Sequence, residues 1–293
     1  MNIIYRFLIN IILFFSPLII LYRVFKRKEN FFRLNERYAI NLKDRPKGKL
    51  IWIHASSIGE FNSLIPLIEK FQKKKTISKI LITTNTLSSA RLIEKLNLKN
   101  TIYQFFPLDS NFIVKKFLNH WQPSILILCE SEIWPNLIQV VHQKKIKLVM
   151  INARITKKAF NNWSKISNFA RSLFKKFDLC LSQNNETVNY LKKLGAKNVK
   201  NIGNLKYSTS KLYFKNKLNT SLNSYFKTKK ILLTSASIHP EEINFSINNH
   251  YYFSKIKKYA NLISIIVPRH IESRKFIIEE ANKLKMRYYL HSS

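Results

Sequence analysis

The sequence is poor in acidic residues, cysteine and glycine. Only 16 of its 293 residues are Asp or Glu, against 51 Lys or Arg, which gives a formal net charge of +35. Such a field draws polyanions, whether nucleic acid, an anionic membrane surface or a phosphorylated substrate, and charge alone does not choose among them. Lysines spread over every solvated face give the same balance. The chain has no RNP-like, zinc-finger or Arg-rich recognition segment, so no nucleic-acid partner is expected. Its two cysteines, Cys129 in ILILCE and Cys180 in FDLCLS, lie inside apolar runs, as buried free thiols do. They exclude a disulfide framework, and no Cys or His spacing suits zinc. With four glycines in the whole chain, Gly59 and Gly203 are expected to mark backbone that needs positive φ or close approach.

What is abundant is apolar. A hydrophobic fraction of 46% with 13% aromatics supports packed cores and argues against wholesale disorder. At 293 residues the length suits two modest domains of roughly 100 to 200 residues each. The longest apolar run, residues 3–22 (IIYRFLINIILFFSPLIILY), is interrupted by Arg6, Asn10, Ser16 and Pro17. A spanning helix takes about 20 apolar residues, so this is a short anchor or a helix lying in the interface. No small-x-small site follows Leu21, and Arg23, Lys26, Arg27 and Lys28 come next, which argues against a cleaved signal. If the segment spans, the basic flank holds the body on the cytoplasmic side.

Beyond residue 28 short apolar β-branched runs alternate with amphipathic stretches. KLIWIH (49–54), KILITTN (79–85), TIYQFF (101–106), SILILC (124–129), KLVMIN (147–152), DLCLS (178–182) and VKNIG (199–203) read as strands of a parallel sheet covered on both faces. The expectation is a membrane anchor over 1–28, a doubly wound α/β domain over 29–206 and a linker over 207–228. A second, incomplete domain then covers 229–293, with strands at 230–237, 262–268 and 286–291.

In such sheets ligands bind beyond the carboxyl ends of the strands. Those ends read HASSIGEF, ESEIWPN, ARIT, GNLK, SIHPEE and PRHIESR, and ionisable residues gather there while the strands stay apolar. Glu60 falls in the first turn of a helix, where the dipole favours its ionised form and hence a base. Sequence physics alone favours a plain helix-end charge. Glu130, Glu132 and Lys206 sit at other strand ends, and Arg269 and His270 after Pro268 are cationic groups suited to a phosphate.

Taken in order, IWIHASSIGEF, FPLDSNF, FLNHWQPSILILCESEIWPNLI, INARI, GNLKYS, SIHPEE and PRHIESR resemble the 3-deoxy-D-manno-octulosonic acid (Kdo) transferases of lipopolysaccharide synthesis, as does ENFFRLNERYAI after the anchor. The resemblance runs along the whole chain. It implies a GT-B fold of two Rossmann-like domains, and an inverting glycosyltransferase that needs neither metal nor cofactor. The donor would be CMP-Kdo and the acceptor a lipid A precursor, at the cytoplasmic face of the inner membrane and its anionic surface. By the same resemblance Glu60 is the general base, Glu130 and Lys206 stabilise the transition state, and Pro268, Arg269 and His270 belong to a CMP-binding turn. Family members usually continue through a glycine-rich GGHN-like segment that this sequence does not contain, so a C-terminally truncated member is expected. A non-catalytic remnant that binds anionic lipid is the competing reading.

Overall fold

The computed structural model describes residues 2–209 and 231–290. They form two compact units, one on either side of residue 212.

The first unit opens with a long helix, α1 (Asn2–Phe25), and a single turn, α2 (Leu34–Arg37). Then follow β1 (Leu50–His54), α3 (Ile58–Gln72), β2 (Lys79–Thr84), α4 (Leu87–Leu96), β3 (Thr101–Phe105), α5 (Asn111–Trp121) and β4 (Ile125–Cys129). The second half continues through α6 (Pro135–Gln143), β5 (Lys147–Ala153), α7 (Lys157–Ser164), α8 (Ser167–Phe174), β6 (Leu179–Ser182), α9 (Asn185–Lys193) and β7 (Val199–Asn201). The expected parallel α/β sheet is present, seven-stranded in the order β3-β2-β1-β4-β5-β6-β7. The chain works outward from β1 to β3, then returns to lay β4 against the free side of β1. A crevice therefore opens at the carboxyl ends of β1 and β4, where the strand order reverses.

Local chemistry supports each element. Ser57, Thr86, Thr156 and Asn184 cap α3, α4, α7 and α9, each side chain accepting the amide three residues on. Asn97 and Gln122, both in the left-handed region, terminate α4 and α5. Alternate residues of β1 serve opposite faces: Leu50 and Trp52 join one apolar core, Ile51 and Ile53 the other. The first core is filled from α5, α6 and α8 with Phe117, Trp121 and Phe174, the second from α3 and α4 with Phe61, Leu64 and Ile93. Both free thiols, Cys129 and Cys180, are buried.

Helix α1 is long and apolar enough, over Ile4–Phe25, to cross a membrane. It nevertheless rests on the body along one stripe. Tyr5 and Leu13 pack against the first core, and Ser16 and Ile20 are buried. The Tyr5 hydroxyl donates to Asp109 Oδ2 at 2.8 Å, and Ser16 Oγ lies 2.9 Å from the Tyr38 hydroxyl. The rest of its surface, with Phe7, Phe14 and Leu18, is exposed.

The second unit pairs β8 (Ile231–Ile238) with β9 (Leu262–Pro268) in parallel, with α10 (Pro240–Ser254) and α11 (Arg274–Lys283) against them. Its core is small, Ile238, Ile243 and Ile247 with Ile266, Phe276 and Met286 around them, and Leu232 and Val267 stay about half exposed. The strand expected at 286–291 is not formed over 286–290, where Met286 packs into that core instead; residue 291 lies outside the described residues. Of the expected linker, residues up to Thr209 belong to a 3-10 turn, Leu205–Thr209, and 210–228 lie outside the described residues.

Candidate active site

The carboxyl ends of β1, β4, β5 and β7 bring together the three residues expected to act in catalysis. Glu60 is the third residue of α3. Its Oε2 accepts the Ser56 amide at 2.8 Å and its Oε1 the Ser57 hydroxyl at 2.9 Å, while the Glu60 amide donates to Ser57 Oγ. This is a variant of the reciprocal cap that a Ser-x-x-Glu sequence builds, with the returning bond at Ser56 rather than Ser57. The helix-end role therefore holds, and it fixes the carboxylate in place. The direction of its pKa shift is opposite to the dipole-based expectation. Burial pushes the Glu60 carboxyl above the usual carboxylate range, the bonds from Ser56 and Ser57 pull it down, and the charges of Glu132 and Glu130 add to the upward shift. The sequence offers no hint of this, because the two other carboxylates arrive from β4.

Glu130 ends β4 in the left-handed region, with φ 56, a conformation that costs a non-glycine residue about 1–2 kcal/mol. Asn152, in the neighbouring strand β5, adopts φ 53. Lys206 Nζ lies 3.3 Å from Glu130 Oε1. No aligned hydrogen bond to that oxygen accompanies the contact, so the pairing is mainly one of charge. The turn that carries Lys206 is tied down by asparagines: Asn152 Oδ1 accepts the Leu205 amide at 3.1 Å and Asn204 Oδ1 the Lys206 amide at 2.9 Å. Gly203, at φ 76, supplies the positive φ expected of it. Gly59 does not, since its backbone is helical and a Cβ there would face open space.

Glu132 completes the cluster. Burial works to raise its pKa, but the His54 ring, with help from Trp134 and Ser56, outweighs that and holds the group below the usual carboxylate range. His54 Nε2 lies 3.2 Å from Glu132 Oε2, and Trp134 Nε1 donates to the same oxygen at 2.7 Å. His54 is fully buried and stacks on Phe106 with ring centroids 3.9 Å apart. Its Nδ1 faces both the Thr83 carbonyl and the Thr83 hydroxyl. Because Glu132 is the acid held ionised, the Nε2 proton is the one donated to it.

A second tier of residues, none of them singled out as a site candidate from the sequence, sets Ser56. The Ser56 amide serves Glu60, its hydroxyl serves Glu132, and its Oγ accepts from Asn85 Nδ2 at 2.9 Å. Asn85 is held by Arg37, whose buried guanidinium donates to its side chain and carbonyl, to the Phe106 carbonyl and to Glu29. The signal available was Arg37 inside FFRLNERYAI, a cation next to an apolar stretch, and it reads equally as surface charge.

The remaining three candidates lie in the second unit. Pro268 closes β9, the Arg269 amide donates to the Ile238 carbonyl at 2.9 Å, and His270 precedes the turn Ile271–Ser273. Arg269 and His270 are exposed. Parallel pairing puts this turn beside the end of β8, where the His239 amide donates to Glu242 Oε2.

Comparison with known proteins bears on the family and the fold. Residues 32–209 match the model of the family described as 3-deoxy-D-manno-octulosonic-acid transferase (kdotransferase). The chain belongs to the Kdo transferase family. It is 32% identical over 276 residues to a 3-deoxy-D-manno-octulosonic acid transferase of Rickettsia bellii, covering 94% of this chain and 65% of that protein. A transferase of the same name from Aquifex aeolicus is 34% identical, covering 80% of this chain and 58% of its own length. An Arabidopsis thaliana protein described as a probable mitochondrial member is 32% identical, with 87% and 59% covered. The chain thus spans about three fifths to two thirds of the length of these family members. Among solved structures, the UDP-GlcNAc 2-epimerase of Neisseria meningitidis aligns with TM-score 0.54 at 18% identity, covering 80% of this chain and 69% of that one. That of Rickettsia bellii gives 0.51 at 14%, covering 83% and 69%. At such identities the likeness concerns the fold, which is the GT-B type of α/β architecture with an apolar N-terminal helix.

Proposed function

We propose that this Kdo transferase family chain moves Kdo from CMP-Kdo to a hydroxyl of a lipid A precursor with inversion, and that Glu60 is the general base. The observation that carries the reading is the setting of Glu60. It is a half-buried carboxylate at the switch point of the sheet, with both oxygens fixed by Ser56 and Ser57 and its basicity raised by partial burial and by Glu130 and Glu132. A sugar hydroxyl is a weak nucleophile, and a carboxylate shifted toward neutrality is a better base for it than an ordinary one. In the step, the acceptor hydroxyl gives its proton to Glu60 as its oxygen bonds to the anomeric carbon of Kdo. The bond from that carbon to the CMP phosphate breaks, and its electron pair leaves with CMP.

Charge then builds on the departing phosphate, and cations are what stabilise it. Lys206, oriented by Glu130, serves that purpose, while Pro268, Arg269 and His270 are the turn proposed to take CMP. The membrane role falls to α1. Its contacts with Asp109 and Tyr38 run along the body, which favours a helix lying in the interface of the cytoplasmic leaflet, with its exposed apolar face toward lipid. The test is CMP release by the purified, folded chain. Release that requires both CMP-Kdo and the lipid acceptor supports the proposal, and no release with both present sinks it.

A further inference from the structure

The turn from β2 into α4 holds a feature outside the carboxylate cluster. Between it and the end of α1 lies a pocket of about 330 Å³ lined by Arg23, Arg27, Lys28 and Arg91 together with Thr86, Leu87 and Ser88 of the α4 N-terminus. No acidic side chain lines it. Arg23 shares the buried Glu29 with Arg37, but Arg27, Lys28 and Arg91 have no ion pair among the described residues. Four cations drawn around one concavity repel each other, so the arrangement costs stability unless an anion occupies it.

The surrounding groups suit a phosphate in particular. The amides of Leu87 and Ser88 are the first two of the helix and have no intrahelical acceptor; no acidic residue sits in that turn to answer them. Lysine bias does not explain the residue choice either. Arginine supplies 12 of the 51 basic residues of the chain, yet three of the four cations here are arginine, the side chain whose planar fork grips phosphate oxygens in pairs. The pocket also lies next to apolar surface, since Tyr22, Phe25, Phe31 and Phe32 on the same segment are 60–91% exposed. Aromatic side chains of this kind settle at the level of lipid headgroups.

We propose that this pocket is a phosphomonoester subsite, and that the phosphate it takes is carried on an amphiphile at the membrane surface. Asn85 immediately precedes the α4 cap and holds Ser56, which in turn holds Glu60, so two hydrogen bonds connect the start of α4 to the proposed base. That the amphiphile is the sugar acceptor rests on the transferase reading; phosphate binding does not, and it is measured without donor.

The experiment is vesicle binding by the full chain, comparing phosphatidylcholine vesicles doped with phosphatidic acid, a monoester, against the same charge of phosphatidylglycerol, a diester. The wild type is expected to prefer phosphatidic acid by about tenfold, in keeping with charge-assisted bonds to the extra oxygen and charge. The double variant R27A/R91A should lose that preference while still binding phosphatidylglycerol, and K157A/K158A, exposed on α7, should keep it. Equal binding of the two lipids by the wild type, or a preference that survives in R27A/R91A, overturns the proposal. A third arm adds inorganic phosphate, where competition only at millimolar levels keeps the lipid as the source. If phosphate binds R27A/R91A as it binds the wild type, the subsite is overturned.

Discussion

Lys206 and Glu130 stand 3.3 Å apart, although one follows the last strand of the first unit and the other the fourth. Neither is an ordinary surface charge: Glu130 is held in a left-handed backbone conformation, and the Lys206 turn is anchored by Asn152 and Asn204. The pair sets a cation at the carboxyl ends of the strands, where the proposed transfer would build negative charge on the departing phosphate.

Replacing Lys206 with Met should therefore lower kcat by about 10²–10³, as removal of a single charge-stabilising group does, with KM nearly unchanged. Lys206→Arg should recover part of the loss. A rise in KM with kcat intact would assign Lys206 to ground-state binding instead.

Ser57→Ala tests the link between helix capping and base strength. Loss of the cap should cost about 1 kcal/mol in urea unfolding. The Ser57 hydroxyl donates to the ionised Glu60 and so pulls its pKa down; without it the pKa rises further. A base must be ionised to work, so the acid limb of the kcat/KM profile should move to higher pH in the variant. A limb that stays in place would separate Glu60 from the rate.

His54 and Glu132 make a prediction about stability. The folded pKa of Glu132 is depressed, with His54 the main favourable cause. Stability from this bond is fully present above the unfolded carboxylate value of about 4.3 and is lost as pH falls through the lower folded value. His54→Phe should destabilise by about 1.5–3 kcal/mol near pH 7, the worth of a hydrogen bond to a charged group. The gap to wild type should narrow as pH falls toward about 3. Denaturant midpoints at the two pH values check this, and a gap independent of pH would mean that lost packing on Phe106 explains the whole effect.

The sheet was legible because each strand is a short β-branched run closed by a polar turn. The run at 286–291 has the same composition, yet Met286 joins a small core instead of a ladder, since pairing depends on neighbours that composition does not name. Glu60, Glu130 and Lys206 could be singled out through the resemblance. Their meeting could not be read from spacing, because it follows from the reversal of strand order between β1 and β4. Ser56, Asn85 and Arg37 escaped notice for a related reason: each matters through one long-range bond, and a buried arginine looks like a surface one until its partners Glu29 and Asn85 are in view.

Glu60 is the residue on which the proposed transfer depends. CMP release from CMP-Kdo and lipid acceptor, measured side by side for the wild type and Glu60→Gln with folding verified by circular dichroism, tests it most directly. Turnover by the wild type and a loss of about 10²–10⁴ in the variant, the usual worth of a positioned general base, is the result expected. A variant within a few-fold of wild-type kcat would contradict it.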